Sequence, residues 1–407
     1  MGFRQGLKLF RRNMSGEKIY EGVFAIHKPE GVSSADVLRK LQRHFNPSET
    51  FRPWLESERE RRNRENSNQR KRRRTQALDV KIGHGGTLDP MATGVLVAGV
   101  GKGTKCLGDF LGCTKDYETV VLFGAETDTY DRVGKIVRRA PYEHITREAV
   151  EKALEQFRGK IMQHPPIFSA LKVQGKKLYE YAREGKEPPI EIKPRPVEVM
   201  EMRIVEWYEP GTHDYKWPEE EAAVEEKAVA EKLLAKDDSL PIAAAADGAD
   251  FSSKRKSPPT DDVKADETNT EATPAVKKQK MSTKGDAAEA ASEQTDAPGA
   301  GETAPAEEQP EPSDKLKAQT QPAAVKIFMT VTSGFYVRSL AHDLGKAVGS
   351  CALMSSLIRS RQADFNLEPE KIIEYKDLDA GEEVWAPKVK TFLEEWEKKR
   401  VAEKNSN

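Results

Sequence analysis

The sequence predicts an α+β domain interrupted by long insertions. Two observations carry this. Strand-like and helix-like periods follow one another up to about residue 208, and β-type patterning resumes at Val325. Between Pro218 and Pro322 the chain is dominated by Ala, Glu, Asp, Thr, Lys and Pro, with Phe251 as the only aromatic residue. Such a segment buries too little apolar area to offset its ordering entropy, so residues 218–322 are read as a disordered insertion.

Taken in order, residues 1–16 carry Arg4, Lys8, Arg11 and Arg12 and no acid, with Phe3, Leu7 and Phe10 on one helical face. Residues 1–20 are therefore read as a basic segment, either a mitochondrial presequence or a frayed terminus, since Gly2 and Gly6 weaken a helix there. Val37, Leu38, Leu41 and Phe45 are spaced for an amphipathic helix over 34–46, with Ser33 or Ser34 as N-cap. Residues 49–78 form a charged insertion containing Arg59, Arg61, Arg62, Arg64 and the basic run Arg70 to Arg74. It reads as a nuclear import signal, an RNA-contacting arm or a solvated loop.

Next comes Gly83-His84-Gly85-Gly86-Thr87-Leu88-Asp89-Pro90, a glycine-rich loop holding one carboxylate. Pro90 biases Asp89 towards extended backbone. From these residues alone, a backbone-capping turn and a positioned functional carboxylate are both open. Val95 to Val100 and Thr119 to Phe123 read as strands, Val150, Leu154 and Phe157 as a helix face, Lys172 to Lys177 as a hairpin, and Val197 to Trp207 as an alternating strand. From Glu368 onward, Phe392 and Trp396 mark a terminal helix.

The formal net charge of −1 conceals an asymmetry. Residues 211–320 hold 25 acidic and 14 basic residues, net −11, and the remainder holds 52 basic and 42 acidic, net +10. A basic folded part suits a polyanion, although an ordinary solvated surface has the same signature. Cys106, Cys113 and Cys351 form no Cys-x-x-Cys pair, which suggests a reduced compartment and no zinc site. No apolar run approaches membrane-spanning length, so no membrane partner is expected. No Gly-x-x-x-x-Gly-Lys-Ser/Thr run is present.

Five segments share an order with a known family. They are Val23 to Ser34, with its Lys28-Pro29-Glu30-Gly31 turn; the Gly83–Gly94 loop; Lys115-Asp116-Tyr117-Glu118 with Thr127-Asp128-Thr129-Tyr130-Asp131; Gln163-His164-Pro165-Pro166 through Gly185; and Ser333 to Leu340 with Asp343-Leu344-Gly345. They resemble the motifs of the TruB family of tRNA pseudouridine synthases. The resemblance covers residues 22–208 and 324–366, and makes 21–217 and 323–367 two parts of one catalytic domain. It implies a mixed, largely antiparallel sheet flanked by helices. The family's bacterial members carry a PUA domain in the region of 368–407, which here is too short for one with its own core.

The same resemblance implies that Asp89 is catalytic in converting uridine 55 of the tRNA T-loop to pseudouridine after base flipping. It makes Tyr117 the stacking platform, Arg338 the partner of Asp89, Tyr336 and Leu357 the lining of the uracil pocket, and His84 the residue entering the RNA loop. Lys28 and Lys172 are candidates for phosphate or structural contacts. Read singly, Tyr117 is a core tyrosine, Arg338 a surface ion pair and His84 a structural histidine. The implied isomerisation is redox-neutral, so no cofactor and no metal are expected. The expected partners are tRNA and some messenger RNAs, the expected state a monomer, and the expected locations nucleus and mitochondrion, with the cytoplasm as a third. An RNA-guided dyskerin-type synthase and a non-catalytic RNA chaperone are the alternatives.

Overall fold

A computed structural model describes residues 11–69, 76–184, 186, 188–224, 227, 242–243 and 321–406. The first ten residues, the Arg70 to Arg74 run and most of the 218–322 insertion lie outside the described residues.

In chain order the elements are β1 (Gly22–Lys28), α1 (Ser34–Phe45), α2 (Arg52–Asn63), β2 (Ile82–His84), β3 (Thr93–Val100), α3 (Leu107–Gly112), β4 (Lys115–Phe123), β5 (Ala125–Thr127), β6 (Ile136–Arg139), α4 (Arg147–Leu154) and β7 (Gly159–Gln163). Then follow the short β8 (Lys172–Val173) and β9 (Lys176–Lys177), α5 (Leu178–Arg183), β10 (Arg195–Tyr208), β11 (Ile242–Ala243), β12 (Ala324–Val331), α6 (Val337–Ala347), β13 (Ala352–Gln362), β14 (Phe365–Asn366), β15 (Ile373–Glu374) and α7 (Glu382–Ser406).

Alternation builds the sheet. On β1, Phe24 and Ile26 bury on one face while Val23 and Ala25 bury on the other, as a period of two requires. Eleven strands join in the order β11-β7-β10-β12-β4-β13-β3-β1-β15, with β2 on β3 and β14 on β13 as side branches. Pairing is antiparallel except for β1–β15 and β3–β13. This is the mixed, largely antiparallel sheet that the resemblance implied. Two apolar clusters cover its two halves: β4, β10, β12 and β13 pack with α4 and α6, and β1, β2 and β3 pack with α1, α2 and α7.

α1 starts where the sequence places it, with Ser33 Oγ accepting from the Asp36 N–H at 3.1 Å. The charged insertion differs from the loop reading in its first half. Phe51 and Trp54 are buried, and α2 continues from them. The Phe51 ring stacks on Phe45 at 4.3 Å, and Trp385 of α7 meets Phe45 at 4.9 Å. Glu382, at the start of α7, accepts from the N–H groups of Glu49 (3.1 Å) and Thr50 (2.8 Å). The dense arginines hide a Phe51-x-x-Trp54 pair at helical spacing. On α7 the buried residues are Trp385, Ala386, Val389 and Leu393, while Phe392 and Trp396 are only half-buried.

The insertion after β10 also begins later than residue 218. The Ile136 N–H donates to Glu220 O at 2.9 Å, the Ala222 N–H donates to Ile136 O at 3.0 Å, and Ala222 is buried. On the return side, Gln321 Nε2 donates to Tyr215 O at 2.8 Å. Tyr208 and Ala324 are register partners, so the chain leaves β10 and re-enters β12 beside the point of departure. β11 lies three strand positions from β12 in the sheet order, roughly 14 Å at normal strand spacing, which a Gly/Ser linker of about 12 residues spans. Replacing residues 245–318 with such a linker should preserve the melting temperature and the circular dichroism spectrum. Loss of cooperative unfolding would show that these residues contribute to the core.

Candidate active site

The glycine-rich loop joins β2 to β3, and its shape is imposed from outside. Its backbone has few partners of its own: Gly85 N–H to Val97 O (2.8 Å) and Ala92 N–H to Asp89 O (3.0 Å). The Gly31 N–H donates to Pro90 O at 2.9 Å, and distant side chains meet most of the loop's carbonyls. Lys28, at the end of β1, is fully buried and donates to the carbonyls of Pro29 (2.8 Å), Pro90 (3.0 Å) and Ala92 (2.5 Å). Ser34 Oγ donates to Leu88 O and accepts from Leu88 N–H, at 3.0 and 2.9 Å. Arg359 on β13 is buried and donates to Val95 O (2.8 Å), Gly86 O (3.2 Å) and Thr87 O (3.5 Å). Gln362 Nε2 donates to Gly85 O at 2.6 Å. Gly94, at φ +110°, lies against the Arg359 backbone, where an added Cβ would come within 2.3 Å of its carbonyl oxygen.

Asp89 stands at the turn of this loop. Arg338, the second residue of α6, grips it as a fork: Nε to Oδ2 at 2.9 Å and Nη2 to Oδ1 at 3.2 Å. The guanidinium side chain is 9% exposed and the carboxylate 31%, so the pair is rooted in protein and open on the Asp89 side. Arg338 is held in turn by the carbonyls of Thr129 (Nη1, 3.1 Å) and Phe168 (Nη2, 2.9 Å). A bidentate, partly desolvated pair of this kind orients its carboxylate far better than a solvated surface pair does.

Asp131 reaches the same cation, with Oδ2 3.8 Å from Arg338 Nε. Its Oδ1 accepts from Thr129 Oγ1 (2.8 Å) and the Val133 N–H (3.0 Å). Burial pushes Asp131 above the usual carboxylate range, and the neighbouring Asp89 adds to this against the pull of Arg338. Asp128 is also raised by burial; its Oδ1 caps the Lys135 N–H at 3.0 Å. Both carboxylates thus sit in the turn they order.

The other candidates surround the pair. Tyr117 on β4 and Leu357 on β13 are buried in one apolar cluster with Leu88, Met91 and Ala92, the residues flanking Asp89. Tyr336 precedes α6 and is half-buried, with its backbone clamped in both directions by Gln163 (2.8 and 3.0 Å). His84 ends β2; burial, then Arg359 and Lys177, hold its pKa below the ordinary value, and its Nδ1 has no partner. Lys28 lies in the interior rather than on a phosphate-facing surface, and its three N–H groups are taken by backbone carbonyls of the two turns. Lys172 is exposed on the hairpin.

Sequence reasoning does not single out Arg359, Gln362 or Ser34 as part of this site. The available signal is Arg359-Ser360-Arg361-Gln362 closing an otherwise apolar strand, a place where charge has to be explained.

A carboxylate held by a guanidinium above an apolar floor suits chemistry at a flat base and its sugar. The model of the TruB family pseudouridylate synthase N-terminal domain matches residues 71–220. The tRNA pseudouridine synthase 4 of Schizosaccharomyces pombe is 39% identical over 369 residues, covering 88% of this chain and 83% of that protein. The chain belongs to the TruB family. The Saccharomyces cerevisiae tRNA pseudouridine synthase 4 is 30% identical, covering 92% of this chain and 85% of its own. The Mus musculus pseudouridylate synthase TRUB1 is 41% identical over 190 residues, covering 46% and 51%. The TruB model spans Asp89, Tyr117 and Asp131. Arg338, on α6, and Leu357 and Arg359, on β13, lie beyond the matched residues.

Lys28 makes the loop's anchoring measurable. Burial lowers its pKa from 10.5 to about 8, against the pull of Asp89 and Glu30. Between these values the unfolded chain keeps a proton that the folded chain has released, so stability rises with pH across that window. The unfolding free energy of the native protein minus that of Lys28→Met should grow by roughly 3 kcal/mol between pH 7.5 and 10.5, at about 1.4 kcal/mol for each pH unit between the folded and unfolded pKa. A flat difference in urea titrations would mean that Lys28 is not buried in its charged form.

Proposed function

We propose that this chain is a stand-alone tRNA pseudouridine synthase that isomerises uridine 55 in the T-loop, with Asp89 as its catalytic residue. The observation that carries this reading is the Arg338 fork on Asp89, set within a chain whose full-length yeast relatives are tRNA pseudouridine synthases. The reaction breaks the N1–C1′ bond, turns the uracil, joins C5 to C1′, and moves the C5 proton to solvent while N1 gains one. It needs no redox partner and no energy source.

Arg338 aims the Asp89 carboxylate through its two-point contact. The carboxylate then serves as nucleophile at C1′ or as base at C2′; both routes use the same oriented oxygens. Tyr117 offers its ring to the flipped base, and Tyr336 and Leu357 close the pocket around it. His84, kept neutral by its surroundings, enters the RNA loop without adding charge. The enzyme acts as a monomer on tRNA and on some messenger RNAs, in nucleus and mitochondrion and also in the cytoplasm.

The test is pseudouridine mapping on a T-arm hairpin incubated with purified protein and no guide RNA. The native chain should convert one uridine. Asp89→Asn should abolish product while holding the RNA dissociation constant within about threefold, because the amide keeps the shape and loses the basicity. Arg338→Lys should lower the single-turnover rate by roughly 10- to 100-fold, since an ammonium cannot fork onto two oxygens. Turnover by Asp89→Asn near the native rate would remove Asp89 from this role.

A further inference from the structure

Behind Arg338 lies a buried assembly for which the proposed chemistry has no direct use. Glu126, on β5, is fully buried. Its Oε1 is 2.9 Å from Nδ1 of His342, itself buried on α6. Its Oε2 accepts from Nε (3.1 Å) and Nη2 (2.6 Å) of Arg138. Burial alone would raise the Glu126 pKa, but His342 and Arg138 outweigh it and pull the group down to about 2. The carboxylate is therefore charged in the interior. Buried charge pairs are a poor source of stability, because desolvation cancels most of their attraction.

The His342 ring stacks on Tyr130 with centroids 4.0 Å apart and planes 21° apart. Tyr130 is buried and has φ +62°, a left-handed conformation that is strained for a non-glycine residue. Its backbone is pinned at both ends: its N–H donates to Thr127 O (3.1 Å) and its carbonyl accepts from the Met354 N–H (2.9 Å). The strained residue separates the two groups that meet Arg338 from this turn. Thr129 O, just before it, accepts from Arg338 Nη1 at 3.1 Å, and Asp131 Oδ2, just after it, lies 3.8 Å from Arg338 Nε. His342 follows Arg338 by four residues, so both project from one face of α6. Turn and helix are thus locked at two points, one helical turn apart.

We propose that Glu126 and His342 are positioning residues for the reaction: through the Tyr130 turn they fix Arg338, and through Arg338 the Asp89 carboxylate. The proposal rests on the function proposed above. It accounts for a buried carboxylate–imidazole contact and a strained tyrosine standing together, since strain persists only where the surroundings over-determine it.

The experiment uses the full chain and the T-arm hairpin. Glu126→Gln and His342→Gln each disrupt the Glu126–His342 contact, and the double variant offers an amide–amide hydrogen bond in its place; Arg138, whose side chain is 48% exposed, loses its carboxylate partner wherever Glu126 is replaced. Single-turnover rate at saturating protein, RNA dissociation constant and melting temperature are measured for each. Positioning predicts a rate loss of about tenfold or more in folded protein, with binding changed by less than about threefold. In an Arg338→Lys background the same substitutions should cost less than about threefold further, because the route to Asp89 is already cut.

Unchanged rates in folded variants would overturn the proposal. So would the same fold-loss in the Arg338→Lys background as in the native one, which would place the effect elsewhere. If a single variant does not fold, the double variant carries both readouts. A native chain that makes no pseudouridine would refute the underlying function, and the inference with it. A native chain that is active beside equally active Glu126→Gln and His342→Gln would refute the inference alone.

Discussion

The glycine-rich loop has carbonyl groups turned inward, and each must find a donor away from water. That constraint organises the site. Leaving a buried carbonyl unpaired costs about 1–3 kcal/mol, and between Gly85 and Val95 seven such groups are met by side chains of Lys28, Ser34, Arg359 and Gln362. Among the described residues, Lys28 and Arg359 are buried cations whose hydrogen bonds go to backbone carbonyls rather than to carboxylates. A cation buried in this way has a narrow choice of positions, because any displacement leaves charge without compensation. The loop is consequently fixed by β1, α1 and β13 as well as by its own sequence.

The carboxylate that the loop presents inherits this rigidity and adds an electrostatic constraint. Arg338 is placed between Asp89 and Asp131, two carboxylates facing one guanidinium. Their environments differ: Asp89 is partly open, whereas Asp131 is buried and pushed upward in pKa, with Asp89 contributing to the push. The shorter, forked contact goes to Asp89. The Thr129 carbonyl holds Nη1, away from Asp89, and Asp131 lies 3.8 Å from the Nε that Asp89 grips, so the direction of Arg338 is set by the 127–131 turn as well as by its own helix. Glu126 and His342 belong to that same turn's support.

Legibility in the sequence follows from whether a demand is local. The loop is readable because glycine, proline and a carboxylate crowd into a few residues and impose unusual backbone. The Ser33 cap and the face of α1 are readable for the same reason, as are the strand periods of β3, β4 and β10. The Arg338–Asp89 pairing joins positions 249 residues apart and enters only through a resemblance; no periodicity points to it. Arg359 shows the opposite failure. An arginine near the end of a strand reads as solvated, and only the register of β13 against β3 reveals that it is enclosed. Residues 51–63 mislead because a high density of charge suggests solvation, whereas a helix needs only one apolar stripe to be held.

That last misreading bears on how the site is framed. Phe51 and Trp54 from the charged insertion and Trp385 from α7 share a cluster with Phe45, and the same cluster contains Ile26 on β1 and Leu96 on β3. β1 carries Lys28 and β3 begins at the loop's exit. The two strands that meet the loop are therefore backed by an aromatic cluster built partly from segments outside the family's motif set. The other cluster, containing Tyr117, Leu357 and Leu88, forms the floor beneath Asp89. The loop is the seam between the two clusters. A perturbation of α2 or α7 would reach Asp89 through Ile26 and Lys28 without touching the floor. Damage to β4 or β13 would disturb the floor directly.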